Sequence, residues 1–229
     1  MNFTTFMRSS LMALCLLALS ASGYNQYTKP SHFRLFCSAF PKALAYTTET
    51  KHSELLSAPA HIQGKHVSLH KLTQNDFSEY YEILNDERCT TVFFSTIEGL
   101  DPWYYMHYQL LSQFFGERVV YSVMVNATGK LAGMIELIRD SLKTRGHIAG
   151  FASPKHWGSG ISLETVNIVK DIFFTITTHN ELHWHVDAKN HRCQTFTLKC
   201  GLEFSHVSQE PESKNDLVFI FPRPQKHLN

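Results

Sequence analysis

The sequence predicts an α/β protein of the α+β type, in which an antiparallel meander of strands is flanked by helices. Three observations lead to this prediction. Three strand-like segments follow one another between residues 119 and 152, helical patterns stand before and after them, and a glycine-rich turn joins the last strand to a helix. Consecutive segments with period-2 alternation are typical of an antiparallel meander, and helices then cover the faces of the sheet.

One strand and two helices are predicted before the meander. Residues 66–72 alternate as a strand, and Thr73 begins a Thr-x-x-Asp pattern that indicates a helix through Leu84. A second helix is expected over residues 102–115, because the proline at its start suits the first turn of a helix.

The meander and the elements after it complete the predicted domain. Turn residues at 126–129 separate the first two strands of the meander. The predicted segments are strands at 119–125, 131–138 and 145–152, a helix at 161–178, a strand at 182–187, a helix at 191–199, and a closing strand pair at 203–207 and 217–221.

The first 64 residues differ in character from the rest of the chain. Arg8 precedes an apolar run at 11–19 and the small residues at 20–22, a pattern typical of a cleaved signal peptide, although a misassigned start codon is an alternative. The run is shorter than the roughly 20 residues that span a bilayer, so no stable membrane span is expected. The predicted organisation is a signal peptide at 1–22, an extended lead-in with one short helix at 23–64, a domain at 65–224 and a tail at 225–229.

The amino-acid composition indicates a globular protein and argues against nucleic acid as a partner. The chain has 229 residues, 43% of them hydrophobic, which is ample for a packed core. Lys and Arg number 21 against 20 Asp and Glu, and no basic tract is long enough to bind a nucleic-acid backbone. Nucleic acid is therefore not an expected partner.

The glycine turn at 153–162 predicts an anion site. Gly158 and Gly160 can adopt positive φ, and the first N–H groups of the following helix have no partner inside it. The helix dipole adds positive potential, so a pyrophosphate fits there without a lysine. A plain connecting loop is the alternative for this stretch alone. The spacing fits neither a dinucleotide fingerprint nor a nucleotide P-loop.

Two separated motifs connect the chain to a known family. The first reads Pro-x-x-Trp-Gly-x-Gly followed by a small residue and a glutamate, and the second combines residues 186–190 with 199–204. In these motifs the chain resembles the GNAT superfamily of acyl-CoA N-acyltransferases, in the branch of ribosomal-protein N-terminal (alanine/serine) acetyltransferases, over about residues 65–222. The residues that carry the first motif are Pro154, Trp157, Gly158, Gly160, Ser162 and Glu164.

The resemblance implies a GNAT fold, a mixed, mostly antiparallel sheet flanked by helices, in which two central parallel strands splay apart and acetyl-CoA lies in the gap. Pantetheine is then expected along residues 148–152 and pyrophosphate at 157–162. A primary amine, on a protein N-terminus or a small molecule, attacks the thioester directly, with a base and an acid to move the protons. The residues that the resemblance assigns to acetyl-CoA are Ala149, Gly150, Phe151, Trp157, Gly158, Ser159, Gly160, Ile161, Ser162 and Asn190.

The same resemblance gives two catalytic candidates. Cys193 stands three residues after Asn190, where relatives carry a serine near the CoA sulfur, and His147 stands where the branch often carries a glutamate. A histidine titrates near neutral pH and can accept a proton. The alternatives are a small buried cysteine and a solvent-facing histidine. Glu136, Glu210 and Glu212 are rival bases.

Two further groups have competing interpretations. His183, His185 and Asp187 alternate and resemble a zinc triad in ligand type, but no HExxH pattern accompanies them and no metal is expected. Aromatic residues in the second helix form either core or the border of an acceptor pocket. They are Trp103, Tyr104, Tyr105, Tyr108, Phe114 and Phe115.

The function expected from the sequence is acetyl-CoA-dependent N-acetylation of an amine. The alternative is a weakened or inactive CoA-binding protein of the same fold, because Cys193 replaces a serine and the signal-like segment points to export. The sequence therefore predicts two different locations: the signal-like segment indicates export, whereas dependence on acetyl-CoA, a cytosolic metabolite, indicates the cytoplasm. The sequence makes no prediction of oligomeric state.

Overall fold

The computed structural model describes residues 54–89, 102–140, 145–210 and 213–224, with no side-chain description for Trp103 and Tyr104. The predicted signal peptide, most of the predicted lead-in and the tail lie outside the described residues. None of the described helices is long and apolar enough to cross a membrane.

Eight strands and four α-helices make up the described fold. Short 3₁₀ turns occur at Glu54–Ser57, Gln74–Asp76 and Pro154–His156. In chain order the elements are β1 (His61–Gln63), β2 (Val67–Lys71), α1 (Phe77–Leu84), α2 (Pro102–Phe114), β3 (Arg118–Val125), β4 (Lys130–Arg139), β5 (Arg145–Ala152), α3 (Ile161–Ile176), β6 (Glu181–Val186), α4 (His191–Lys199), β7 (Glu203–Val207) and β8 (Leu217–Pro222).

The strands form one sheet in the order β1-β2-β3-β4-β5-β6-β8-β7. Every neighbouring pair is antiparallel except β5 and β6, which run parallel. A connection of this kind requires a crossover, and α3 supplies it. The predicted mixed, mostly antiparallel sheet flanked by helices is therefore confirmed.

Helices cover both faces of this sheet. Alternation along β3 sends Val119 and Tyr121 into the larger core with α3, and sends Val120 into a smaller core with α1 and α2. Phe173 of α3 and Tyr80 of α1 are fully buried in these two cores. The period-2 pattern read from the sequence thus sorts residues between two separate hydrophobic layers.

The structure differs from the predicted elements at three places. Thr73 and Asp76 form the predicted capping box, but the first turn after Thr73 is 3₁₀. Strand β1 was not predicted, and it adds an edge strand by pairing with β2. Helix α3 ends at Ile176 because Thr177 is extended, and the Thr177 hydroxyl donates to the carbonyl of Phe173.

The parallel seam between β5 and β6 is short. Only three pairs join the two strands, from Arg145 with Glu181 to His147 with His183. Beyond this point residues 148–152 continue to pair with β4 but have no partner strand on the β6 side among the described residues. The strands therefore separate, as the resemblance implies, and leave a gap in the middle of the sheet.

Candidate active site

A cavity of about 260 Å³ lies in the gap between β5 and β6 and opens towards the glycine turn. It is lined by residues 132–135 of β4, the end of β5, the beginning of α3 and one face of α4. Among the residues lining it are Gly150, Phe151, Trp157, Gly158, Gly160, Ile161, Ser162, Trp184, Asn190, Arg192, Cys193, Phe196 and Lys199.

The glycine turn has the backbone geometry that an anion cradle requires. Gly158 and Gly160 have φ of 80° and 87°, a conformation that costs an L-residue roughly 1–2 kcal/mol. Gly160 is the N-cap of α3 and provides no side chain to cap the helix. The N–H groups of the first turn, at Ser162 and Leu163, therefore remain available to a ligand at the cavity.

Trp157 fixes the turn against its neighbours. Its indole Nε1 donates to the carbonyl of Ala152 at 2.9 Å, which ties the turn to the end of β5. The guanidinium of Arg192 lies over the indole ring at 4.1 Å from its centroid. This cation–π contact joins the turn to α4 across the cavity. Ser159, by contrast, donates its hydroxyl to His156 within the turn and does not line the cavity.

Asn190 and Cys193 stand together at the start of α4. The side-chain oxygen of Asn190 accepts the N–H of Cys193 at 3.0 Å, as an N-cap. Both residues line the cavity. Burial raises the pKa of the Cys193 thiol to about 12, so this group is neutral at physiological pH. The structure thus brings together one of the two predicted catalytic residues and the cap that positions it.

The charge of the cavity favours an anionic ligand. Among the described residues that line it, both side chains with a full charge are cations, Arg192 and Lys199, and none is a carboxylate. Together with Phe196 they recur at helical spacing on α4, so one face of this helix borders the cavity. Sequence reasoning missed these three residues, although their i, i+4, i+7 pattern was visible.

His147 lies outside the cavity lining, as does Ala149. The ring of His147 instead contacts His183 and His185, with centroids 5.8 Å and 5.1 Å away. Burial and the neighbouring charges of His185, Arg145 and His183 lower the pKa of His147 to about 4. The imidazole is therefore neutral at pH 7 and a weak proton acceptor. Its role as the base stays a prediction.

The rival carboxylates are held elsewhere. Glu136 is buried and accepts hydrogen bonds from Arg118 at 2.6 Å and from the side-chain amide of Gln109 on α2 at 3.4 Å. Glu210 forms an ion pair with Arg145. Glu212 lies outside the described residues. Neither described carboxylate lines the cavity.

The alternating triad on β6 is not assembled as a metal site. Asp187 follows the end of the strand, and its carboxylate accepts the N–H of Lys189 at 2.7 Å. His183 pairs with Glu181 at 2.7 Å, and His185 with the Ser213 hydroxyl at 2.9 Å. Within the described ranges, no three His, Cys, Asp or Glu side chains are arranged to hold a metal ion.

The aromatic residues of α2 divide between core and surface. Tyr105 is buried in the smaller core, whereas Tyr108 and Phe114 are 39% and 67% exposed. Tyr108 accepts a hydrogen bond from Arg118 at 3.2 Å. None of these three side chains lines the cavity.

Comparison with known proteins identifies the family. A family model described as an acetyltransferase (GNAT) domain matches residues 66–203, more than half of the chain. The chain belongs to the GNAT acetyltransferase family. The resemblance inferred from the glycine turn and the Asn190 region is thereby confirmed. No curated protein matches the sequence.

Solved structures share the GNAT fold at low sequence identity. An acetyltransferase from Agrobacterium tumefaciens has a TM-score of 0.61 at 18% identity, over 72% of this chain and 95% of that one. A spermidine N-acetyltransferase from Vibrio cholerae, in complex with CoA and spermine, has a TM-score of 0.57 at 16% identity, over 70% and 97%. A ribosomal-protein-S5-alanine acetyltransferase from Vibrio fischeri has a TM-score of 0.58 at 12% identity, over 72% and 97%. At these identities the similarity shows the fold of this GNAT protein alone.

Proposed function

We propose that the protein transfers an acetyl group from acetyl-CoA to a primary amine by direct attack. The observation that carries this proposal is the gap between β5 and β6. A cavity in this gap extends from the end of β5, beyond its pairing with β6, to the turn that contains Gly158 and Gly160. The amine nitrogen forms a bond to the carbonyl carbon, the carbon–sulfur bond breaks, and an amine proton ends on the CoA sulfur. The products are an amide and free CoA.

Three parts of the site suit different parts of the donor. The edge of β5 beyond its last pair with β6, at residues 148–152, offers backbone groups to the pantetheine amides. The N-terminus of α3 and the glycine pair suit the pyrophosphate, and Arg192 adds a cation beside them. The cavity walls around Phe196 and Trp184 are apolar. A neighbour of the same fold is known in complex with CoA.

Cys193 is proposed to act at the sulfur as a hydrogen-bond donor rather than as a strong acid. Its pKa of about 12 lies above that of an ordinary thiol, about 8.5, so proton transfer from it to a CoA thiolate is unfavourable. A neutral thiol is still able to donate a weak hydrogen bond to the departing sulfur. The proton that completes CoA then comes from the amine.

The acceptor is proposed to be a protein N-terminus or a small-molecule amine. The neighbours of the same fold are described as acting on an alanine of a ribosomal protein and on spermidine. These two acceptors define the first substrates to test. They are polar amines, and both are accessible as synthetic compounds.

A second candidate function is CoA binding without efficient turnover. The observation that favours it is the absence of a carboxylate from the described cavity lining, together with the distance of His147 from that lining. A site without a positioned base depends on amine that is already neutral. Rates at neutral pH would then be low for a strongly basic amine.

One experiment separates the two functions. The full-length protein is incubated with acetyl-CoA and a panel of peptides beginning with Ala or Ser, polyamines and aromatic amines. Release of free thiol and addition of one acetyl group to the acceptor are followed together. Turnover supports the transferase. Binding of CoA by calorimetry without turnover across the panel supports the second candidate, and absence of both contradicts both.

A further inference from the structure

Glu164 lies in the first turn of α3, directly after the glycine pair, but outside the cavity lining. Its two carboxylate oxygens both accept the backbone N–H of His66, at 3.0 Å and 3.2 Å. His66 precedes β2 and stands 98 residues earlier in the chain. The contact therefore ties the helix that supports the cradle to the turn between β1 and β2.

The surroundings of Glu164 leave it little freedom. A Cβ on Gly64 would lie 2.6 Å from Glu164 Oε1 and 2.9 Å from Ile168 Cδ1, so the turn packs directly against α3. Glycine is required here for the close approach. A side chain at this position would also lie 2.8 Å from the backbone carbonyl oxygen of Val67, so the turn itself would have to shift.

The turn is held independently on its other side. The side-chain amide of Asn126 donates to the carbonyls of Gly64 and Lys65, at 3.1 Å and 3.2 Å. The backbone N–H of Asn126 also donates to the carbonyl of His66 at 3.0 Å. Two neighbouring turns of the sheet thus form one fixed support against which Glu164 anchors the helix.

The charge of Glu164 needs an explanation beyond the helix dipole. A carboxylate in the first turn stabilises a helix, but it also opposes an anion bound at the same helix terminus. The hydrogen bonds to His66 explain why residue 164 carries an acceptor oxygen. The negative charge of that residue does not itself favour a phosphate at the helix terminus. Removal of the acceptor and removal of the charge therefore have different consequences.

We propose that Glu164 is a positioning residue for the donor: its bond to the His66 N–H fixes the first turn of α3 and so the direction of the N–H groups in the cradle. The inference rests on the proposed function, because it assigns those groups to the donor pyrophosphate. It gives a structural reason for the glutamate of the glycine-turn motif, which does not touch the cavity.

The test compares Glu164→Ala with Glu164→Gln in the full-length protein. Loss of the acceptor in Glu164→Ala is expected to weaken CoA binding about tenfold, because the first turn of α3 is then held in the binding-competent conformation in only about a tenth of the molecules. Glu164→Gln keeps an acceptor oxygen, so its affinity should remain within about twofold of the wild type. Calorimetry gives the affinity. With an accepted amine, the KM for acetyl-CoA should rise in Glu164→Ala while the KM for the amine stays unchanged.

Glu79 provides a matched control. It lies in the first turn of α1 on the other face of the sheet, and its carboxylate accepts the backbone N–H of Leu131 at 3.0 Å. Glu79→Ala should lower the melting temperature without changing CoA affinity. Equal weakening of CoA binding in Glu79→Ala and Glu164→Ala would overturn the inference, because both would then reflect general destabilisation.

Two further outcomes are decisive. If Glu164→Ala does not fold, Glu164→Asp keeps the charge but shortens the side chain away from the His66 N–H and should also weaken CoA binding; unchanged affinity in the variant that folds overturns the inference. Failure of the wild type to bind CoA contradicts the proposed function itself. Normal binding by the wild type and by Glu164→Ala contradicts the positioning role alone.

Discussion

The backbone and the side chain of Cys193 have different roles. Its backbone N–H is capped by Asn190, so the start of α4 is fixed whatever side chain residue 193 carries. Its thiol, raised to a pKa of about 12 by burial, is a weaker hydrogen-bond donor than a hydroxyl. In the proposed function, the residue would therefore keep the position of the family's serine but give a weaker hydrogen bond to the donor sulfur.

Substitution Cys193→Ser is expected to raise kcat about fivefold, because a hydroxyl in the same place gives roughly 1 kcal/mol more stabilisation to the departing thiolate. Steady-state kinetics with an accepted amine provide the measurement. Cys200→Ser is the matched control, since Cys200 is a buried thiol at the end of the same helix and does not line the cavity. An equal gain in both variants, or no gain in Cys193→Ser, contradicts the assigned contact.

At the level of elements, the proposed donor site depends on how the chain enters α3. The turn from Trp157 to Gly160 is fixed by the indole bond to Ala152 and by the stack with Arg192, while the left-handed glycines turn the chain into the helix. Backbone direction here is set by glycine conformation rather than by side-chain capping. CoA binding at this turn is therefore expected to be sensitive to changes in backbone conformation.

Gly160→Ala tests this sensitivity. No atom lies within 4 Å of an added Cβ, so the cost is conformational, about 1 kcal/mol of unfolding free energy. CoA affinity should also fall about tenfold, because the N–H groups of the first turn shift. Gly129→Ala is the control, with φ of 62°, equally open space and a position in the β3–β4 turn away from the cavity. It should lose similar stability in thermal unfolding but bind CoA normally.

At the scale of the whole molecule, the stability depends on a group of three histidines at the short pairing between β5 and β6. His147 faces His183 and His185, with Arg145 and Asp140 nearby, and the pKa of each of these three histidines is lowered, chiefly by burial. Groups with a lowered histidine pKa favour the neutral form in the folded state. Their contribution to the free energy of unfolding is fully present above about pH 6.5, the pKa of an unfolded histidine, and is lost as the pH falls towards the pKa in the folded state.

We therefore expect the free energy of unfolding to fall between pH 7 and pH 5. With a folded pKa of about 4, His147 alone accounts for a loss of about 2 kcal/mol at pH 5. His147→Gln should flatten the dependence over this interval in denaturant titrations. His61→Gln, on the exposed edge strand, should leave it unchanged. A wild-type stability that does not vary between these pH values contradicts the expectation.

The sequence predicted most of the fold because alternation and helix-start signals act locally. Strand β1 escaped because three residues are too few to establish a period. Alternation places His147 and Phe151 on one face of β5, but it does not show which end of the strand borders the gap. Phe151 lines the cavity, and His147 stands four residues away, about 13 Å along the strand. Arg192 and Lys199 were missed because cations on a short helix resemble a solvated face.

The end of β5 beyond its pairing with β6 should show a distinct pattern of backbone amide hydrogen exchange. In a strand, successive N–H groups point to opposite sides, so alternate amides of residues 148–152 bond to β4 while the others face the gap. Exchange with deuterium along this single strand should therefore alternate between slow and fast from one residue to the next. A donor bound in the gap occupies the place of a missing strand, and it would make these five residues exchange as evenly as the interior of a complete sheet.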